Sequence, residues 1–266
     1  MPAAPPPPAA PLLGRFLELA LPTQNIAASV QFYERLGFRQ VVTGDAWPHR
    51  YGVLSDGRIY LGLHELAAAS PSFDSIAPSF VLPGLARALP ALRSAGIEPE
   101  ETHFGEESLH HLQLRDPGGN PVRLQEARTF SPDPAGTQAH SVCGYFMHLS
   151  LPQSDFMAAR SFWERAGWVA LPEEDSPYPH LPLTADPLDL AFHAHGGIAS
   201  AFLAFECPDV PAALERLAAV DIAPLKRPAR GLSVPGAGLL QAPEGTLLWL
   251  LPAVQNIQRE TAMAGA

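Results

Sequence analysis

The segment Arg15–Leu21, RFLELAL, alternates and is rich in large apolar residues, which is the signature of a strand packed on one face. Period then switches. Asn25 can cap a helix in which Ile26, Val30, Tyr33 and Leu36 share one face, and Gly37 ends it. Short strands follow at Phe38–Thr43, Arg50–Ser55 and Arg58–His64, the last two joined by the turn Ser55-Asp56-Gly57. A strand at Ser79–Leu82 leads to a helix over Leu85–Ala95, stopped by Gly96. Strands at Leu109–Arg115 and Pro121–Glu126 close the pattern around the turn Asp116-Pro117-Gly118-Gly119-Asn120. The order strand, helix, then two or three strands is thus met twice before residue 128.

The whole pattern then recurs. Leu19–Phe38, LALPTQNIAASVQFYERLGF, aligns without gaps on Leu149–Trp168, LSLPQSDFMAARSFWERAGW, with eight of twenty positions identical. Leu85–Pro99 aligns on Val210–Pro224, and DPGGNPVRL from Asp116 aligns on APEGTLLWL from Ala242. Three segments repeating in one order mark an internal duplication. The expected organisation is a proline-rich tail over 1–13, one domain over 14–128, a linker over 129–142, a second domain over 143–254 and a tail over 255–266.

PTQNIAASVQFYERLGF after the first strand, LRDPGGNPVRLQE closing the first half, and their copies PQSDFMAARSFWERAGW and QAPEGTLLWLL resemble the vicinal oxygen chelate superfamily. That superfamily includes glyoxalase I, bleomycin-resistance proteins and extradiol ring-cleaving dioxygenases. The resemblance implies an α+β chain of four βαβββ modules forming two glyoxalase-like domains. Each domain is a cup-shaped mixed sheet with helices outside. It specifies fold more than function, because such folds host enzymes and passive binders alike.

In metal-bearing members, inward side chains on the first and last strands of each module converge on one divalent ion. The resemblance carries those positions onto Glu18, Tyr60, Ala77 and Arg123 in the first half. Glu18 is a metal ligand by chemistry, Ala77 is not, and the fixed positive charge of Arg123 repels a cation. Glu18 and Arg123 are therefore expected to form an ion pair in the metal's place, either within a ligand site or as a purely structural pair. His64, His111, Gln113 and Gln125 share the same inner face beside Tyr60, with Trp47 and Tyr51 at the rim or in the core. In the second half the positions become His148, Asp189, Phe202 and Trp249. His193 shares the strand and parity of Asp189 but lies ~13 Å along it, too far to complete one ion's shell. Facial metal sites use two His and one carboxylate.

Composition narrows the choice. Acidic residues number 27 against 17 basic ones, a net charge of −10, which argues against nucleic acid as a partner. Hydrophobic residues make up 47% and charged ones 17%, so most of the chain folds, and no apolar run reaches the ~20 residues of a membrane span. Cys143 and Cys207 are the two cysteines, too few for a disulfide framework or a zinc cluster, and the expected compartment is a reducing cytoplasm. Phosphate-binding and nucleophile-elbow motifs are missing. The expectation is a protein that binds a small organic molecule in a metal-free first cup lined by Glu18, Tyr60, His64, His111, Gln113, Arg123 and Gln125. One alternative is a lyase or ring-cleaving dioxygenase using Fe, Mn, Ni or Zn on His148 and Asp189. Another is a non-catalytic interaction scaffold, and a homodimer is left open.

Overall fold

A computed structural model describes residues 12–66, 73–105, 109–132, 141–185, 188–196, 198–225 and 234–253. Residues 1–11 of the expected proline-rich tail, most of the linker and the C-terminal tail lie outside the described residues, whereas Leu13, expected in the tail, is buried in the core. The first half contains β1 (Arg15–Thr23), α1 (Ile26–Arg35), β2 (Arg39–Val41), β3 (Tyr51–Ser55) and β4 (Tyr60–Glu65). It continues with β5 (Ala77–Val81), α2 (Leu85–Ser94), β6 (Glu101–His103), β7 (His111–Arg115) and β8 (Pro121–Gln125). The second half runs through β9 (Tyr145–Gln153), α3 (Phe156–Ala166), β10 (Val169–Ala170), β11 (Leu181–Thr184) and β12 (Leu190–Ala194). It ends with β13 (Phe202–Cys207), α4 (Val210–Ala218), β14 (Gly238–Gln241) and β15 (Leu247–Pro252).

Each half makes its own mixed sheet. The first is ordered β2-β3-β4-β1-β5-β8-β7-β6 and the second β10-β11-β12-β9-β13-β15-β14. In both, the long opening strand lies at the centre, antiparallel to the strand that starts the next module and parallel to the last strand of its own. Strand β6 has three exposed residues and pairs with β7 without any apolar alternation, which is why periodicity does not reveal it. Helix caps are written locally: Asn25 and Asp155 each accept a hydrogen bond from the backbone N–H three residues on. Gly14 and Gly144, 130 positions apart, open the two central strands at φ 85° and 98°. A Cβ on either would lie 2.2 Å from a carbonyl of the neighbouring strand, so both positions require glycine.

Aromatic and aliphatic residues from both halves share one core, in which Phe80 meets Trp168 edge to face at 5.7 Å. Two polar junctions related by the duplication fasten the halves. The Asp116 carboxylate in the first closing turn accepts hydrogen bonds from Gln153 and Trp163 of the second half, at 2.6 and 3.2 Å. The Glu244 carboxylate in the second closing turn accepts from Ser29 and Tyr33 of the first half, at 2.8 and 2.6 Å. Tyr33 and Trp163 occupy equivalent helix positions, so the duplication has kept the geometry and changed the chemistry. Among the described residues no helix is long and apolar enough to cross a membrane.

Candidate functional site

Strand alternation brings Glu18, Gly62, His64, Ser79, Gln113 and Arg123 to the inside of the first cup. Hydrogen-bonded register aligns Glu18 on β1 with Ser79 on β5, and Ser79 with Arg123 on β8. The third converging position is therefore Ser79, two residues beyond the expected Ala77. Ala77 and Ser79 share a face, so parity cannot choose between them, and cross-strand register does.

Glu18 is fully buried. Its carboxylate accepts a hydrogen bond from the Tyr51 hydroxyl at 2.5 Å and lies 3.4 Å from His64 Nε2. Arg123 Nη1 lies 3.2 Å from the same His64 nitrogen. The expected direct Glu18–Arg123 ion pair does not form: His64 stands between the two charges. Because a guanidinium only donates, His64 accepts at Nε2 and carries its proton on Nδ1, which reaches His49 Nε2 at 2.9 Å. Burial, then the Arg123 charge, push His64 well below the usual imidazole range. Burial and the same charge take His49 to about 4, so both rings are neutral. Burial raises Glu18 to about 7, against smaller lowering effects from the Tyr51 hydrogen bond and Arg123. Burial also lowers Arg123 to about 10, offset in part by Glu18. The guanidinium is packed between two rings, 4.3 Å from the Phe73 centroid and 4.8 Å from that of Trp47.

The remaining predicted residues divide into two groups. Gln113 is buried and its Oε1 has no hydrogen-bond partner, and Trp47 Nε1 is likewise buried and unpartnered. His111 is half-buried at the rim, edge-on to Trp47 at 5.2 Å and stacked on His103 at 4.9 Å. Gln125, by contrast, is used up within the chain: its amide donates to the Ala127 carbonyl at 2.9 Å and accepts from Ser79 at 3.3 Å. Tyr60 packs at the far end of the cup against Phe130, 5.0 Å between centroids. Sequence reasoning missed His49 and Phe73 as members of this cluster. The aromatic-rich stretch around Trp47 was a signal for the first, whereas nothing local marks Phe73. Just outside Trp47, His49 and Tyr51 lies a cavity of about 410 Å³.

Two predictions arise here. The Glu18 carboxyl lies over Gly62, where a Cβ would sit 2.3 Å from it. Gly62→Ala should displace Glu18 from Tyr51, costing roughly 1–3 kcal/mol for the lost buried hydrogen bond; urea denaturation with and without Glu18→Gln checks it, since the two effects should not add. The second concerns pH. Glu18 titrates near 7 when folded and near 4.5 otherwise, so the folded state holds the proton more tightly. Stability from this group is complete below the unfolded value and is lost as pH rises through about 7, by about 3 kcal/mol. The advantage of Glu18→Gln over wild type should grow by that amount across the same window, and a pH-independent difference would refute the assignment.

The second cup is filled by its own side chains. Tyr178, Phe202, Val234, Leu239, Trp249 and Leu251 form an apolar cluster within it. His148, 6% exposed, donates from Nε2 to the Tyr178 hydroxyl at 2.6 Å, and Tyr178 donates to Ser150 at 3.0 Å. Ser150 in turn meets His193 Nδ1 at 2.8 Å, and His193 Nε2 meets the Ile198 carbonyl at 2.9 Å. His148 Nε2, the Tyr178 and Ser150 hydroxyls and both His193 nitrogens are thus engaged with one another or with the backbone, and the chain holds Tyr178 in place. Burial lowers His148 to about 3 and His193 to about 4. Register aligns His148 with Ala204 and Ala204 with Trp249, so the converging positions are one histidine and two non-ligands, and Ala204 replaces the expected Phe202. Asp189 precedes β12 and is exposed, and no hydrogen bond or ion pair joins it to His148. Among the described residues, no three His, Cys, Asp or Glu side chains are grouped so as to hold a metal ion. The donor set does not fit one.

No family model matches this sequence, and no curated protein sequence matches it. Solved structures share its fold. A catechol 2,3-dioxygenase superposes with a TM-score of 0.54 at 19% identity, covering 90% of this chain and 86% of the other. Homoprotocatechuate 2,3-dioxygenase from Arthrobacter globiformis gives 0.59 at 16% identity, over 92% and 81%. The 2,3-dioxygenase LapB from Pseudomonas sp. KL28 gives 0.57 at 16% identity, over 90% and 92%. The chain shares the mixed α+β fold of these ring-cleaving dioxygenase structures, with two sheets of eight and seven strands.

Proposed function

We propose that this chain binds a small organic anion in its first cup, with Arg123 as counter-charge and no metal ion. The observation that carries this reading is the state of Arg123: a buried guanidinium with no carboxylate in contact, a neutral histidine beside it and aromatic faces on both sides. A buried charge without a direct partner is costly, and an incoming carboxylate or phenolate removes that cost bidentately. Gln113 adds an unfilled acceptor at the same face. Entry requires the segment carrying Trp47 and His49 to move toward the adjoining cavity. The test is calorimetric titration of wild type and Arg123→Leu with a panel of aryl and alkyl carboxylates and phenolates. Binding in wild type lost in the variant supports the reading, and equal binding in both overturns it.

A second reading, ring cleavage by a metal-dependent dioxygenase, is favoured by the fold shared with those enzymes. It needs a three-ligand metal set, and His148, Ala204 and Trp249 do not supply one. Metal analysis of the purified chain separates the two. Stoichiometric iron or manganese lost in His148→Ala would replace the first reading with the second.

A further inference from the structure

The two junctions between halves serve as each other's control. Asp116 is saturated: besides Gln153 and Trp163, it accepts from the backbone of Gly118 and Asn120 and from the Asn120 amide. Gly118 lies so close that a Cβ there would be 2.1 Å from Gln153, and the junction is filled. Glu244 receives two hydroxyls only, although a carboxylate has about four acceptor sites. Beside it opens a cavity of about 650 Å³, walled by Thr23, Gln24, Asn25, Asp74, Ser75 and Ser200 among others.

This wall suits a cation. No Lys or Arg lines it among the described residues, and two carboxylates do, Asp74 and Glu244. The nearby start of α1 offers an anion little, because Asn25 and Glu65 already accept from Ala28 N–H and Ile26 N–H. Asp74 has Arg115 at 3.5 Å, an ion pair half open to solvent. Phe73 is common to both compartments: it lines the junction cavity, and its ring is the one packed on Arg123 at 4.3 Å and on His64 at 5.5 Å. One aromatic side chain thus separates a buried cation from a pair of carboxylates.

We propose that the junction cavity is the second compartment of the first-cup site, and that the ligand is a zwitterion reaching past Phe73. Its acidic group pairs with Arg123 and offers a neighbouring N–H or O–H to Gln113, while its amine lies between Asp74 and Glu244. This rests on the reading of the first cup as an anion site. Rotation of the Phe73 ring joins the compartments.

Calorimetry on the full chain tests it with straight-chain ω-amino carboxylates of increasing length, the matching carboxylates and the matching amines. One length of amino carboxylate should bind about tenfold tighter than its carboxylate, the size of one charge-assisted hydrogen bond. Asp74→Asn and Glu244→Gln should each shrink that advantage and leave the plain carboxylate unchanged, and Arg123→Leu should remove both. Asp74→Asn leaves the Ser29 and Tyr33 contacts intact, so the test survives if Glu244→Gln loosens the junction. Carboxylates that bind through Arg123 with no gain from an amine at any length would overturn this inference and spare the anion reading. Amines binding equally well without Arg123 would show two separate sites, which also overturns it. No carboxylate binding at all would remove the anion reading itself, and this inference with it.

Discussion

Arg123→Leu is expected to abolish binding of organic anions and to lower stability by about 1–3 kcal/mol, the cost of leaving His64 Nε2 buried without its donor and Glu18 without a nearby positive charge. The loss arises on both sides of His64. Glu18 loses the positive charge that favours its ionised form, and His64 Nε2 loses its donor. Because Glu18 already titrates near 7, protonation offers it an escape below that pH, so the penalty should be smaller in mildly acidic solution than above 7. Adding Glu18→Gln should recover much of the stability and none of the binding. Urea denaturation at two pH values, with calorimetric titration of the same proteins, checks both halves of the claim. A double variant that still binds anions as wild type does would remove the first cup from consideration.

Asp116→Ala should cost about 4 kcal/mol and weaken the hold of one half on the other. The carboxylate is 4% exposed and takes hydrogen bonds from two backbone N–H groups and three side chains. Removing it leaves several buried donors unsatisfied, each worth roughly 1–3 kcal/mol before relaxation or water entry recovers part. Trp163 Nε1–H is one of them, so the variant should show altered tryptophan fluorescence before global unfolding. Truncating the equivalent turn by Glu244→Ala should cost less, since only Ser29 and Tyr33 lose a partner and Glu244 is half-buried. Equal costs at the two junctions would show that saturation of Asp116 adds nothing to stability.

Much of this architecture was legible locally. The alternation of β1, the Asn25 and Asp155 caps and the repeated closing turns each depend on a few neighbouring residues, and together they specify two copies of one fold. Even the glycines at 14 and 144 can be aligned from the duplication alone. Strand β6 could not be read, because an exposed edge strand of three polar residues leaves no periodic trace. Within the candidate site, strand parity was enough to place Glu18, His64, Gln113 and Arg123 on one face.

What parity cannot supply is register and closure. Ser79 and Ala204 took the converging positions from Ala77 and Phe202 because residues two apart share a face, and only pairing across strands decides which of them lies opposite Glu18 or His148. His64 separates Glu18 from Arg123 for a related reason: it comes from β4, whose sideways distance to β8 is fixed only when the sheet curls into a cup. Phe73 reaches Arg123 across fifty residues of chain, and Tyr178 meets His148 across thirty, contacts with no sequence period to betray them. The sequence by itself determined the fold and the face on which each side chain lies, since those follow from local periodicity and the repeat. The tertiary structure alone decided which charges touch, which are held apart and which cup its own aromatic residues fill, because those depend on distances between strands that only the closed sheet defines.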